Sequence, residues 1–251
     1  MHADSGSSIS PCASLEGAHE HPQTAAAETE RRGARVRRLL VDSPTSVGAR
    51  ARARRWMLLQ RNFPGLGGMR VLDLGGTLEW WRRAPLRPAQ VITVNLEDQD
   101  SGSDRSLRHV TGDACTAREV LDAAGLSREF DLVFSNSLIE HVGGHARRAE
   151  LAHQIQDLAP NHWIQTPYRY FPVEPHWLFP GMQFLPMAAR SRIALSWPLT
   201  HTRAKTLAEA RDGAMWTELI GLTEIRSYFP DSEIAIERFL GIPKSLIAIK
   251  A

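Results

Sequence analysis

A chain of 251 residues with 43% hydrophobic and 7% aromatic side chains is long enough for one α/β domain plus a tail, and a formal net charge of +2 excludes a strong general attraction to nucleic acid. No apolar run approaches the ~18–20 residues needed to span a bilayer. The first residues form neither a basic region nor a long apolar one, and the cysteines Cys12 and Cys115 form no disulfide framework, so a reduced, cytoplasmic protein is expected.

Residues 1–30, rich in Ser, Ala, Gly, His and Glu, show no hydrophobic period and are expected to be a disordered tail. An Arg-rich helical segment follows over 31–68, with a first helical pattern at Ala34–Leu40 and a break at Ser43-Pro44. Ser46 is placed to cap a second helix that runs to about Gln60 and partly buries Trp56, Leu58 and Leu59. Ten arginines lie between Arg31 and Arg61, which reads as a solvated helix face. Lysine occurs only at Lys205, Lys244 and Lys250, so arginine is this chain's general cation and its clustering signals less than usual. The turn-rich Phe63–Gly68 leads into short apolar runs at Met69–Leu74, Val91–Leu96, His109–Thr111, Asp131–Ser135 and His162–Gln165. Helical patterns at Ala117–Ala124 and His145–Leu158 lie between them, and this alternation predicts a parallel sheet covered on both faces. Glu233–Phe239 and Ser245–Lys250, joined by a turn over Leu240–Pro243, read as an antiparallel hairpin closing a domain over 69–251.

Four stretches carry chemistry. Val71-Leu72-Asp73-Leu74-Gly75-Gly76-Thr77 ends a strand in glycines, which lets a ligand approach bare backbone at the carboxyl end of a sheet. Thr93-Val94-Asn95-Leu96-Glu97 ends the second strand where nucleotide folds place a ribose-binding acid, and either Asn95 or Glu97 can take that part. In Gly112-Asp113-Ala114 an acid that can accept from an exocyclic amine precedes a small residue that leaves room for a ring. Phe130–Val142 runs from an apolar strand into Asn136, Ser137 and the pair Glu140-His141.

In this order and spacing, the stretches resemble the class I S-adenosylmethionine-dependent methyltransferases of the "methyltransferase 11" kind, over about residues 69–170. The resemblance implies a Rossmann-like sheet of seven strands, mostly parallel and the last antiparallel, with helices on both faces. It implies S-adenosylmethionine as cofactor, with Asp73, Gly75 and Gly76 at the methionine part, Asn95 or Glu97 at ribose, Asp113 and Ala114 at adenine, and Asn136 or Ser137 along the wall. Two departures stand out: Thr77 occupies the family's second glycine position, with Gly76 one place early, and Asn95 replaces the ribose acid.

Residues 168–222 are the expected acceptor segment. The stretch Gln165–Pro180 that leads into it is dense in proline and aromatic residues, hence stiff, and suits a pocket for a small-molecule, sugar or lipid acceptor. Histidine is the natural proton acceptor near neutral pH, which singles out His176 and His141, with Glu174 as orienter or alternative base. Metal binding is not expected: Gly143-Gly144 interrupts the helix that the His141–His145 spacing would need, and the cysteines make no ligand pair. Two rival classes are a non-catalytic protein using its Arg-rich arm on nucleic acid or membrane and, less favoured, a nicotinamide oxidoreductase, which should show Gly-x-Gly-x-x-Gly and an acid after the second strand.

Overall fold

The structure, a computed structural model, describes residues 43, 46–199 and 204–251. The tail over 1–30 and the helical pattern at Ala34–Leu40 lie outside the described residues. Helix α1 (Val47–Asn62) starts where the sequence places it, with the Ser46 hydroxyl accepting from Ala49 N–H at 3.0 Å. Strands β1 (Arg70–Leu74), β2 (Gln90–Asn95), β3 (Leu107–Thr111), β4 (Leu132–Asn136) and β5 (Asn161–Pro167) follow, with the short helix α2 (Leu78–Arg82) after β1. Helices α3 (Ala117–Ala123) and α4 (His145–Leu158) complete the alternation. Beyond β5 come a ribbon of two-residue strands, β6 (Val173–Glu174) and β7 (Phe179–Pro180), and helices α5 (Met187–Ser196), α6 (Leu207–Met215) and α7 (Leu222–Tyr228). Strands β8 (Glu233–Phe239) and β9 (Ile242–Lys250) end the chain.

The main sheet has seven strands in the order β3-β2-β1-β4-β5-β9-β8. β1 to β5 pair in parallel, whereas β9 is antiparallel to both β5 and β8. The α/β, Rossmann-like sheet with a terminal hairpin is therefore present. The hairpin is tighter than expected: only Leu240 and Gly241 form its turn, and β9 begins at Ile242 rather than Ser245. Pro243 is tolerated inside a strand because β9 has there run past the end of β5, whose last partner is Ser245, and a bulge lies opposite between Glu237 and Arg238.

Alternation along β1 divides the core. Leu72 and Leu74 face a cluster with α3, α4 and α7, including Leu121, Leu151, Ile155 and Phe229. Val71 faces the other cluster with α1 and α2, including Leu59, Phe63, Trp81 and Phe134. Helix α4 buries Arg148, Leu151, Ala152, Ile155 and Leu158, a stripe at helical spacing. Each large apolar side chain in it contributes about 1.5–3 kcal/mol by leaving water. Arg148, fully buried, donates to the Glu218 carbonyl at 2.9 Å and the Glu218 carboxylate at 2.8 Å, which fastens the end of the 168–222 segment to the core. Tyr168 bridges to Ile220 at the segment's other end, so it leaves and rejoins the domain at one place. No helix among the described residues is long and apolar enough to cross a membrane.

Candidate functional site

The carboxyl ends of the parallel strands form one edge, and the sequence-predicted residues gather there. The turn after β1 needs glycine twice. Gly75 has φ +82°, and a Cβ on it would stand 2.7 Å from Leu138 Cδ1; a Cβ on Gly76 would stand 1.7 Å from Asp73 Oδ2. The turn thus folds back over the Asp73 carboxylate. That carboxylate is 1% exposed, accepts from Trp81 Nε1–H at 2.7 Å, and leaves Oδ1 without a donor. Burial, only partly offset by the Trp81 hydrogen bond, pushes its pKa up to about 7.

Asn95 clamps the same turn from β2. Its Nδ2 donates to the Gly75 carbonyl at 3.0 Å and the Gly76 carbonyl at 3.2 Å, while its Oδ1 accepts from Glu97 N–H at 3.3 Å. Glu97 itself is exposed. At the end of β3, Asp113 accepts from Cys115 N–H at 2.9 Å and pairs with Arg147. Partial burial opposes ionisation, but the Cys115 N–H and the Arg147 guanidinium prevail and hold the Asp113 carboxyl below the usual range. Ala114 beside it is buried. At the end of β4, Asn136 Oδ1 accepts from Arg55 at 2.7 Å, and Ser137, in the left-handed region at φ 61°, donates to Gln165 Oε1 at 3.1 Å.

Arg55 was legible only as one of ten arginines. It leaves α1 to bind Asn136, Gln165 (3.2 Å) and both carboxylate oxygens of Glu237 (2.8 and 2.6 Å), tying the N-terminal helix across the edge to β8. The bidentate geometry requires arginine rather than lysine. Its partners lie 81 to 182 residues away, so no local pattern marks it.

The three candidate proton-handling residues come together. His176 Nδ1 lies 2.6 Å from Glu174 Oε1, and Glu174 Oε2 accepts from Trp177 N–H at 2.8 Å. The His141 and His176 rings meet edge to face with centroids 4.8 Å apart. His141 Nδ1 lies 3.2 Å from the Trp216 carbonyl, and its Nε2 lies 4.0 Å from Glu140 Oε1. Burial lowers the His141 pKa against the opposing pull of Glu140, which favours the neutral ring. Glu140, which the sequence marked only as His141's neighbour, is 1% exposed; its Oε2 accepts from the Thr166 hydroxyl at 2.9 Å. One ligand atom from each of Glu140, His141 and His176 lies within 4.8 Å of the others. His145, by contrast, turns to the Tyr228 hydroxyl at 2.7 Å. A cavity of about 280 Å³ adjoins the cluster, lined by Glu174 and Thr217 together with Arg169, Trp177, Gln183 and Arg190.

No protein-family model matches this chain, and no curated protein matches it. Solved structures do. A Bordetella parapertussis protein provisionally described as exported is 15% identical, with 91% of this chain and 87% of that one covered and a TM-score of 0.52. A Rhodobacter sphaeroides protein provisionally described as a zinc-dependent alcohol dehydrogenase is 13% identical over 78% of this chain and 87% of that one, with a TM-score of 0.51. An S-adenosylmethionine-dependent methyltransferase from Mesorhizobium loti is 18% identical over 77% and 95%, with a TM-score of 0.47. Likeness at these identities is a likeness of fold. The sheet order, with an antiparallel strand between β5 and β8, is that of the Rossmann-like, mostly parallel seven-stranded α/β fold the resemblance implies.

Proposed function

We propose that the chain is an S-adenosylmethionine-dependent methyltransferase acting on an oxygen or nitrogen of a small polar acceptor. The observation that carries this reading is the convergence of Glu140, His141, Glu174 and His176 past the carboxyl ends of the parallel strands, with a cavity of about 280 Å³ lined by Glu174. The alternating edge of an open α/β sheet is where such folds bind ligands. The dinucleotide-binding fingerprint is a Gly-x-Gly-x-x-Gly turn after the first strand, which this chain lacks.

The residues suit the cofactor in kind. The Gly75–Gly76 turn offers backbone with no Cβ, Asp73 Oδ1 is a buried acceptor without a donor, and the carboxylates of Glu97 and Asp113 stand at the ends of β2 and β3. We assign Glu97 to the ribose hydroxyls, because Asn95 is held on the turn by its amide hydrogens and its Oδ1 already accepts from Glu97 N–H, whereas the exposed Glu97 carboxylate is a stronger acceptor. Asp113 with Ala114 faces the adenine, Asp73 supports the turn that holds the methionine part, and Asn136 and Ser137 form the wall. Bound there, S-adenosylmethionine supplies an electrophilic methyl group.

The chain's own contribution is to hold the acceptor in line and to receive its proton. Orientation of this kind can supply roughly 7–11 kcal/mol of the barrier. Glu174 accepts the Nδ1 hydrogen of His176 and so fixes the lone pair on Nε2, the arrangement of a general base worth ~10²–10⁴-fold. Arg169, Arg190, Glu174 and Glu218 share the cavity lining with Trp177, Met182, Met187, Met215 and Leu219, a mixed surface that suits a small acceptor carrying both hydroxyl and apolar parts. The first test is calorimetry with S-adenosylmethionine, S-adenosylhomocysteine and NAD: binding of the first two without the third supports the reading, and binding of NAD alone sinks it. His176→Ala should then keep cofactor affinity while lowering single-turnover methyl transfer on the order of 10²-fold.

A further inference from the structure

We propose that Glu140, His141 and His176 form a binding site for a divalent transition-metal ion, with Glu174 as the residue that positions His176. The site deepens the acceptor-site reading above and rests on it only for its use, not for its existence.

The chemistry of the hydrogen bonds fixes the tautomers. A carbonyl oxygen only accepts, so the 3.2 Å contact between His141 Nδ1 and the Trp216 carbonyl places the ring hydrogen on Nδ1 and a lone pair on Nε2. A carboxylate likewise only accepts, so Glu174 Oε1 at 2.6 Å places the His176 hydrogen on Nδ1 and its lone pair on Nε2. His141 Nε2 then faces Glu140 Oε1 at 4.0 Å, an acceptor toward an acceptor. Glu140 Oε1 is buried and has no hydrogen-bond donor, whereas Oε2 of the same carboxylate is satisfied by Thr166. A buried carboxylate oxygen without a donor is costly unless a cation meets it. Among the described residues this is the one group of three His, Cys, Asp or Glu donors close enough to share an ion, its ligand atoms lying within 4.8 Å of one another.

Each ligand also has the outer partner that metal sites use. Metal-bound histidines pass their second ring hydrogen to a carboxylate or a backbone carbonyl, and metal-bound carboxylates are themselves hydrogen-bonded. Glu174 does this for His176, Trp216 for His141 and Thr166 for Glu140. With the three ligand atoms within 4.8 Å of one another, an ion between them would draw them in to the ~2.0–2.2 Å bonds of zinc. Two imidazoles and one carboxylate select zinc, iron or cobalt over magnesium or calcium. Three protein ligands leave a coordination position open, the pattern of catalytic rather than structural sites. The cavity adjoins the cluster through Glu174 and Thr217, and Thr217 Oγ1 lies 3.4 Å from His141 Nδ1. The remaining coordination position would be open to an acceptor hydroxyl. In the loaded protein the His176 lone pair is committed to the metal, and the cation takes over the activation that the bare ring performs without it.

The test uses the full chain, stripped with a chelator and titrated with Co²⁺ while visible ligand-field absorption is followed, then with Zn²⁺ as competitor by calorimetry. The expected result is one tetrahedral-type cobalt spectrum per chain, displaced by Zn²⁺. Glu140→Gln and His176→Ala should abolish it, and Glu174→Gln should weaken affinity about 10–100-fold. His145→Ala, whose ring serves Tyr228, should leave it intact. His176→Cys keeps a ligand at the position and should add a thiolate-to-cobalt charge-transfer band, which keeps the proposal testable if the alanine variant folds poorly. Absence of stoichiometric cobalt binding, or binding indifferent to Glu140 and His176, would overturn it. No cofactor or turnover enters these measurements, so a failed metal titration leaves the methyl-transfer reading standing, and a failed cofactor titration leaves the metal site standing.

Discussion

Replacing Asp73 with asparagine isolates what the glycine turn costs the fold. The Asp73 carboxyl is buried and its pKa is pushed from 3.8 to about 7, first by burial. The sign follows from linkage: the folded state holds this proton more tightly than the unfolded chain, so the group weakens the fold as pH rises from 3.8 toward 7. At 1.36 kcal/mol per unit, the penalty is about 1.7 kcal/mol at pH 5 and about 4 kcal/mol at pH 8. The substituted amide would still accept from Trp81, but its own hydrogens would fill the position of the donorless Oδ1, at a cost of about 1–3 kcal/mol that does not vary with pH. The expected outcome is therefore a change in slope. Between pH 5 and pH 8, Asp73→Asn should gain about 2.5 kcal/mol on the parent chain, measured by urea unfolding with tryptophan fluorescence. Parallel stability profiles for the two chains would show that Asp73 ionises normally and that the turn does not bury its charge.

Three further outcomes follow from the same structure. His162 is buried against Phe229 with its Nε2 2.6 Å from Ser232 Oγ, and burial lowers its pKa from 6.5 to about 4. The unfolded chain therefore takes up the proton first, and stability should fall by up to about 3 kcal/mol as pH drops from 6.5 to 4; His162→Gln should remove that slope, and an unchanged acid limb would contradict the burial argument. Asp113→Ala should weaken S-adenosylhomocysteine binding by about 1–3 kcal/mol in calorimetry, with a small loss of melting temperature from the missing cap on Cys115; a folded variant with unaltered affinity would remove Asp113 from the adenine site. Asn95→Asp should destabilise the fold by about 2–3 kcal/mol in urea, because it exchanges two donated hydrogen bonds for a carboxylate oxygen set against two carbonyls; full stability would mean that the amide does not clamp the turn.

The sheet was legible because its strands are short, apolar and bounded by glycine or polar residues, and α4 because its buried residues recur at helical spacing. The helices α5 and α6 were not. Their apolar residues are mostly alanine and methionine, which mark a buried stripe weakly, and they pack on each other rather than on the sheet. The individual site residues were visible as residue types at strand ends. Their pairing was not, since Glu140 and His141 meet His176 across an insertion whose return path is set by Tyr168, Ile220 and Arg148. A search for metal ligands at helical spacing looks from His141 to His145, while the structure joins His141 to a ring 35 residues away (His141 to His176).

The two departures from the family pattern turn out to be one. A second glycine arriving one place early lets the turn fold down onto Asp73, with no room for a Cβ at Gly76. That fold brings the carbonyls of Gly75 and Gly76 side by side toward the end of β2, where Asn95 donates to both. An aspartate there would present oxygen to oxygen, so the ribose acid cannot stay at position 95 once the turn has this shape. Gln99 adds a bond from Leu78 N–H to its Oε1 at 2.9 Å, extending the clamp into α2. In the proposed reading the ribose carboxylate is then Glu97, two residues on, exposed at the same strand end and the acid nearest in sequence to position 95. Gly76 and Asn95 are therefore a coupled pair: changing the turn back to the commoner spacing would require changing the amide with it.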